Sequence, residues 1–232
     1  MGIVRMMLQP VTGSNLVGMF REKTFRNLLL EAADHTYTTG YESGFIVVRD
    51  MPGARLHYSE AVRGTGGTIP SIEFADIADY GSLEKTPDLY PVFFHHFHRS
   101  ADGPLCPTST KKGGYDLGCF AKLRTGRHVR SRPLCSIGKI GNDMSGELLL
   151  LQERTEESLA PALRAYVWSC LEQLLDYTYT TQDAADELTR TGLYRSAVVR
   201  FRIDERKERH IVFSREEQDV VRQFAFTPTL VE

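Results

Sequence analysis

No apolar run in the 232-residue chain approaches the roughly 20 residues that a membrane-spanning helix needs. The N-terminal stretch up to Met7 is short and is broken by Arg5, which argues against a secretory signal. Cysteine is scarce: the four residues at 106, 119, 135 and 170 form no Cys-x-x-Cys pair. Zinc-finger, thioredoxin and disulfide-framework architectures are thereby excluded. Net charge is close to balanced at −2, so the chain as a whole is no general polyanion binder. The Gly64-Thr65-Gly66-Gly67 loop lacks the Gly-Lys-Ser/Thr that completes a phosphate-binding loop. With 41% hydrophobic and 25% charged residues the composition is that of a globular protein, here expected to be soluble and cytoplasmic. A chain of this length buries a sizeable core without staples.

Periodicity predicts an α/β fold. Phe25, Leu28, Leu29, Ala32 and Ala33 give a helical stripe over residues 21–34. Gly44-Phe-Ile-Val-Val48 reads as a buried strand, and residues 69–74 as a shorter strand candidate. Pro91-Val-Phe-Phe-His-His-Phe-His98 is a strongly β-prone run, followed by a long loop rich in Pro, Gly, Ser and Thr up to Gly114. Loops of that length in a compact domain are usually functional or mobile. Residues 136–140 and 147–152 read as a hairpin. Beyond Glu153 the texture turns helical, with a stripe from Leu159 through Leu163, Val167 and Leu171 to Leu175 that suits either a core or an interface. Capping boxes are expected at Thr180–Asp183 and Ser214–Glu217. The expected division is a domain at 1–155 and a mostly helical extension at 156–232.

The extension offers two local readings. Residues 182–200, with Ala185, Gly192 and Val198 at the crossing, turn and core positions, look like a helix-turn-helix, and Arg195, Arg200, Arg202, Arg206, Lys207 and Arg209 could contact phosphates. In the other reading Val198–Ile203 and His210–Phe213 pair as strands. Charge is uneven: residues 111–140 hold eight bases against the single acid Asp116, and residues 153–190 hold eight acids against three bases. The basic stretch could attract an acidic partner or a carboxylate terminus, or be a solvated face.

The sharpest feature is His95-His96-Phe97-His98. On a strand, His96 and His98 share a face roughly 6–7 Å apart, and His95 points the other way. Two imidazoles so placed suit one divalent ion, which in a catalytic zinc site takes about three protein ligands. A further carboxylate, not itself a ligand, is then needed to take a proton.

Glu42-Ser-Gly-Phe-Ile-Val-Val after a helix, then His96-Phe97-His98, then a Ser/Asp loop and Arg132-Pro133 before a hairpin, resembles the JAMM (MPN-domain, JAB) metalloprotease family across about residues 20–155. The resemblance implies a curved mixed sheet flanked by helices, a zinc cofactor, and hydrolysis of a peptide or isopeptide bond after a ubiquitin-like C-terminal tail. It makes Glu42 the general base and His96 and His98 the paired ligands. The family's usual Ser and Asp positions hold Cys106 and Ser109, and Arg99 stands where proline is common. With a longer loop, Ser109 becomes the serine that steadies the tetrahedral intermediate, and Asp116 the third ligand. Asp102 and Cys106 are the other candidate ligands. The alternatives are an inactive MPN scaffold for protein–protein contacts and a DNA-binding regulator using the C-terminal helix-turn-helix.

Overall fold

A computed structural model describes residues 7–9, 16–50, 56–64, 89–98, 103–107, 116–122, 129–130, 132–154, 160–175, 178–206, 209–224 and 229–230. Strand β1 (Met7–Gln9) precedes helices α1 (Leu16–Arg21) and α2 (Lys23–Thr39). Strands β2 (Ser43–Asp50), β3 (Leu56–Tyr58), β4 (Val62–Arg63) and β5 (Leu89–Phe97) follow. Helix α3 (Asp116–Lys122) and the short β6 (Val129–Arg130) lead into a hairpin of β7 (Leu134–Ile140) and β8 (Ser145–Glu153). Helices α4 (Pro161–Leu175) and α5 (Thr181–Arg190), β9 (Tyr194–Asp204), β10 (His210–Val212), α6 (Arg215–Val221) and β11 (Thr229–Leu230) complete the order.

Nine of these strands form one mixed sheet, ordered β1-β3-β2-β5-β7-β8-β9-β10, with β4 also pairing β2. The β5–β7 pair is parallel, as its crossover through α3 requires, and the other pairs are antiparallel. Strand β5 is therefore interior, as its apolar run predicts. Alternation along each strand feeds two cores. Phe45, Val47, Phe93, Phe97, Leu148, Leu150, Val199 and Phe201 join Phe20, Phe25 and Leu29 of α1 and α2 and Val221 of α6. Ile46, Val48, Phe94, Ile137, Leu149, Leu151 and Val198 join Leu117 and Phe120 of α3, Val167 and Leu171 of α4, and Ala185 and Leu188 of α5. Helices thus cover both faces, and a continuous apolar strand is what such a sheet demands. No helix among the described residues is long and apolar enough to cross a membrane.

The C-terminal half corrects two expectations. Residues 194–204 are a strand, β9, paired with β8 from Ser145↔Arg202 to Glu153↔Tyr194. The second helix of a helix-turn-helix does not exist, and the DNA-binding alternative loses its element. Val198 faces the α5 side of the sheet instead of a helix crossing. The 156–232 segment is also not a mostly helical appendage, because β9 and β10 are strands of the same sheet as β2 and β5. The physical reason is the free edge of β8: its nine residues need a ladder partner, and the β-branched run Val198-Val199 supplies one. Helix α4 does pack on the sheet through Val167 and Leu171, whereas Leu163 is exposed. The capping box forms at Thr180–Asp183, whereas Ser214 makes only half of one, because the Glu217 carboxylate accepts the Arg200 N–H instead. Thr180 and Asp183 bond reciprocally, and the Ser214 hydroxyl accepts the Glu217 N–H. The strand candidate at 69–74 lies outside the described residues.

Candidate metal centre

Three side chains converge where the end of β5 meets the start of α3. His96 Nε2 lies 3.1 Å from Asp116 Oδ1, and His98 Nε2 lies 3.3 Å from Asp116 Oδ2. Ligand atoms from all three fall within 4.8 Å of one another. His96 is 6% and Asp116 9% exposed, so the group is sheltered from solvent. At metal–ligand bonds of about 2.0–2.1 Å, the edge of a ligand tetrahedron is about 3.3 Å. Each imidazole lies near that spacing from one Asp116 oxygen, and two imidazoles with a carboxylate are a suitable donor set for a divalent ion. The group could therefore hold a metal. Ring nitrogen His96 Nδ1, turned away from Asp116, is buried with no hydrogen-bond partner among the described residues.

Local sequence explains the convergence. Alternation puts His96 and His98 on the α3 face with Phe94, Leu117 and Phe120. His95 faces the other core, where its ring meets Phe97 edge-on at 4.4 Å and its Nδ1 lies 3.0 Å from the Ser136 hydroxyl. Burial among aromatics, and the neighbouring histidines, hold the His95 pKa well below its ordinary value, so this ring is neutral. Directly across β2 from His96 stands Gly44. A Cβ there would come within 2.1 Å of the His95 carbonyl oxygen and 2.8 Å of His96 Cα, so only glycine admits this close pairing.

Burial works against the charge on Asp116, but the two imidazoles, by charge and hydrogen bond, hold its carboxyl far below the usual carboxylate range. Desolvation likewise works against a charged His98. Asp116 outweighs it, with help from Glu42, and the His98 pKa is raised. Glu42 is near enough to act because of register. The β2–β5 pairing Ser43↔Phe97, continued by one residue, sets Glu42 opposite His98 on the same face. The Glu42 carbonyl is pinned by the Gly64 N–H at 2.8 Å.

The structure thus gathers His96, His98 and Asp116, with Glu42 beside them and outside the ligand group. Ser109 and Asp102 lie outside the described residues. Cys106 is described and buried. Desolvation first, and the Asp116 charge second, push its thiol up to about 12 against a hydrogen bond from Tyr179 that lowers it. In the metal-free protein Cys106 is protonated at neutral pH, and its Sγ is not among the ligand atoms that His96, His98 and Asp116 bring together. Three neighbours of the centre escape a motif-based reading: Lys139, Glu147 and Thr181. The expected hairpin comes within one residue of the first two: a turn at 141–146 would pair Ile140 with Glu147, whereas the structure pairs Ile140 with Gly146 and Lys139 with Glu147.

Comparison with protein-family models finds no match, and no curated protein or solved structure shows significant similarity to the chain.

Proposed function

We propose that the protein is a zinc-dependent hydrolase of the JAMM (MPN-domain) type, cleaving a peptide or isopeptide bond that follows a ubiquitin-like C-terminal tail. One observation carries this reading: a sheltered His-His-Asp donor set with a second carboxylate, Glu42, on the same face and outside the set. The chain order of the four, Glu then His-x-His then Asp, is also that of the family it resembles. His96, His98 and Asp116 would hold the ion. When bound, a divalent ion there supplies Lewis-acid polarisation of the scissile carbonyl. Glu42 accepts a proton from the attacking water and returns it to the leaving amine. The Phe94, Leu117 and Phe120 side of the site limits competing solvent.

The test is a paired substitution, read by metal analysis and by release of a reporter joined through an amide to a ubiquitin-like tail. Glu42→Gln should keep about one equivalent of zinc while losing at least about 100-fold in rate, the lower range for a general base. Asp116→Ala should lose the zinc. Full zinc content in Asp116→Ala would refute the ligand assignment. Zinc binding by the wild type with no hydrolysis of any tail-linked amide would leave a metal-bearing scaffold.

A further inference from the structure

Register extends the metal centre into a row that crosses five strands. Glu42, just before β2, stands across from His98, just after β5. The parallel pairing Phe97↔Gly138, continued by one residue, sets His98 beside Lys139 of β7. Lys139 pairs with Glu147 of β8, and Glu147 with Arg200 of β9. All five side chains lie on the α3 face, and Glu147 stands between two bases, Lys139 and Arg200. Lys139 Nζ is 3.4 Å from Glu147 Oε2, and Arg200 Nε is 3.4 Å from Glu147 Oε1.

Two members of this row hold the segment at 103–107, part of the loop that runs from His98 to Asp116. Lys139 Nζ donates to the Gly103 carbonyl at 2.6 Å. The Thr181 hydroxyl, at the start of α5 and 3% exposed, accepts the Leu105 N–H at 3.0 Å and donates to Glu147 Oε2 at 2.7 Å. The held segment then presents Leu105 and Cys106 to the cluster that contains Leu117 and Phe120 of α3. The Asp116 charge acts on the Cys106 thiol, and Leu105 and Cys106 share one apolar cluster with Leu117, the residue after Asp116.

We propose that Lys139, Glu147 and Thr181 form a clamp that positions Asp116 against His96 and His98, so that residues on both sides of position 155 are needed for the metal centre. The proposal rests on the metal reading above. Seventeen residues separate His98 from Asp116. A loop that long samples many arrangements unless fixed, and metal affinity falls with the fraction of molecules that have the third ligand in place. The clamp fixes the loop near its middle, with bonds from two separate elements. Lys139, Glu147 and Thr181 are positioning residues that act through the loop and touch no ligand.

The test is zinc affinity by chelator competition in the full chain, with folding followed by circular dichroism and thermal midpoint. Thr181→Val keeps shape and removes both hydrogen bonds, and Lys139→Met removes the other anchor. Each should weaken zinc binding about 10-fold or more, the usual scale for groups that orient a metal ligand, and Thr181→Ser should restore it. If Thr181→Val does not fold, Lys139→Met, at the more exposed end, decides. A wild type that binds zinc beside folded Thr181→Val and Lys139→Met with unchanged affinity would overturn the clamp alone. So would a lowered thermal midpoint of the zinc-free variants with the same zinc affinity. A wild type that binds no zinc would overturn the metal centre and the clamp with it.

Discussion

Replacing Gly44 with alanine perturbs the metal centre by one methyl group and touches no candidate ligand. The new Cβ would sit 2.1 Å from the His95 carbonyl oxygen, 2.8 Å from His96 Cα and 3.0 Å from the His95 carbonyl carbon. Ordinary contact between a carbon and a carbonyl oxygen begins near 3.3 Å, so the shortfall exceeds about 1 Å. All three obstacles are backbone, so no rotamer change relieves them. Strands β2 and β5 must separate, against a ladder that runs from Ser43↔Phe97 to Asp50↔Leu89. Overpacking typically costs about 1–3 kcal/mol, and a ladder hydrogen bond lost with it about 1 kcal/mol more. A total near 3 kcal/mol lowers the thermal midpoint of a chain this size by about 6–12 °C. Because the displaced atoms carry His96, zinc affinity should fall together with stability. Gly118 of α3 is the control, since a Cβ there meets nothing within 4 Å. Gly118→Ala should raise stability by about 0.5–1 kcal/mol through helix propensity. Calorimetry of the zinc-free proteins reads both. A Gly44→Ala midpoint within about 2 °C of wild type would refute the close approach of β2 to β5 and the reasoning built on it.

Glu147 makes stability depend on pH. Burial pushes its carboxyl up from 4.5, but the Thr181 hydroxyl bond, Lys139 and Arg200 prevail, and the folded pKa is lowered. The unfolded chain then binds more protons at acid pH, so this contribution is present above about pH 4.5 and is lost as pH falls through the folded value. Urea midpoints of the zinc-free protein should decline less steeply below about pH 4.5 in Glu147→Gln than in wild type, and parallel declines would exclude the effect. Cys106→Ala should retain full zinc, because the Cys106 Sγ lies outside the group of ligand atoms formed by His96, His98 and Asp116. Loss of zinc in that variant, by metal analysis, would return Cys106 to the ligand set.

What the sequence made legible was local. A strand ending in His-x-His assigns faces by alternation alone, and β5 separates His95 from His96 and His98 as expected. The helix at 23–39, the hairpin of β7 and β8, and the Thr180 cap each follow from patterns within about a dozen residues. Strand β9 was ambiguous because it follows a capped helix and Gly192, the punctuation of a helix-turn-helix, yet carries β-branched residues. Only the vacant edge of β8 decides between the two, and that edge is a tertiary fact. Asp116 lies far along the chain from His98, and only resemblance to a family motif pointed to it. Lys139, Glu147 and Thr181 match no motif, since their relation to the site is a register across strands that are distant in sequence.

The same strand carries the candidate metal centre on one face and an aromatic core on the other, which makes its register consequential. A slip of one residue would turn His96 and His98 toward Phe25 and Phe45 and bring His95 to the Asp116 side. Two glycines oppose that slip from both sides. Gly44 on β2 lies across from His96, and Gly138 on β7 lies beside Phe97, where a Cβ would come within 2.6 Å of the Phe97 ring and 2.8 Å of His95 Cε1. Shifted by one, β5 would set the bulk of its rings against positions that have side chains. Ser136, paired with His95, adds a hydrogen bond that only the native register makes. The neutral His95 thereby acts as a register pin for the pair of histidines that follow the opposite face, although it contributes no atom to the ligand set.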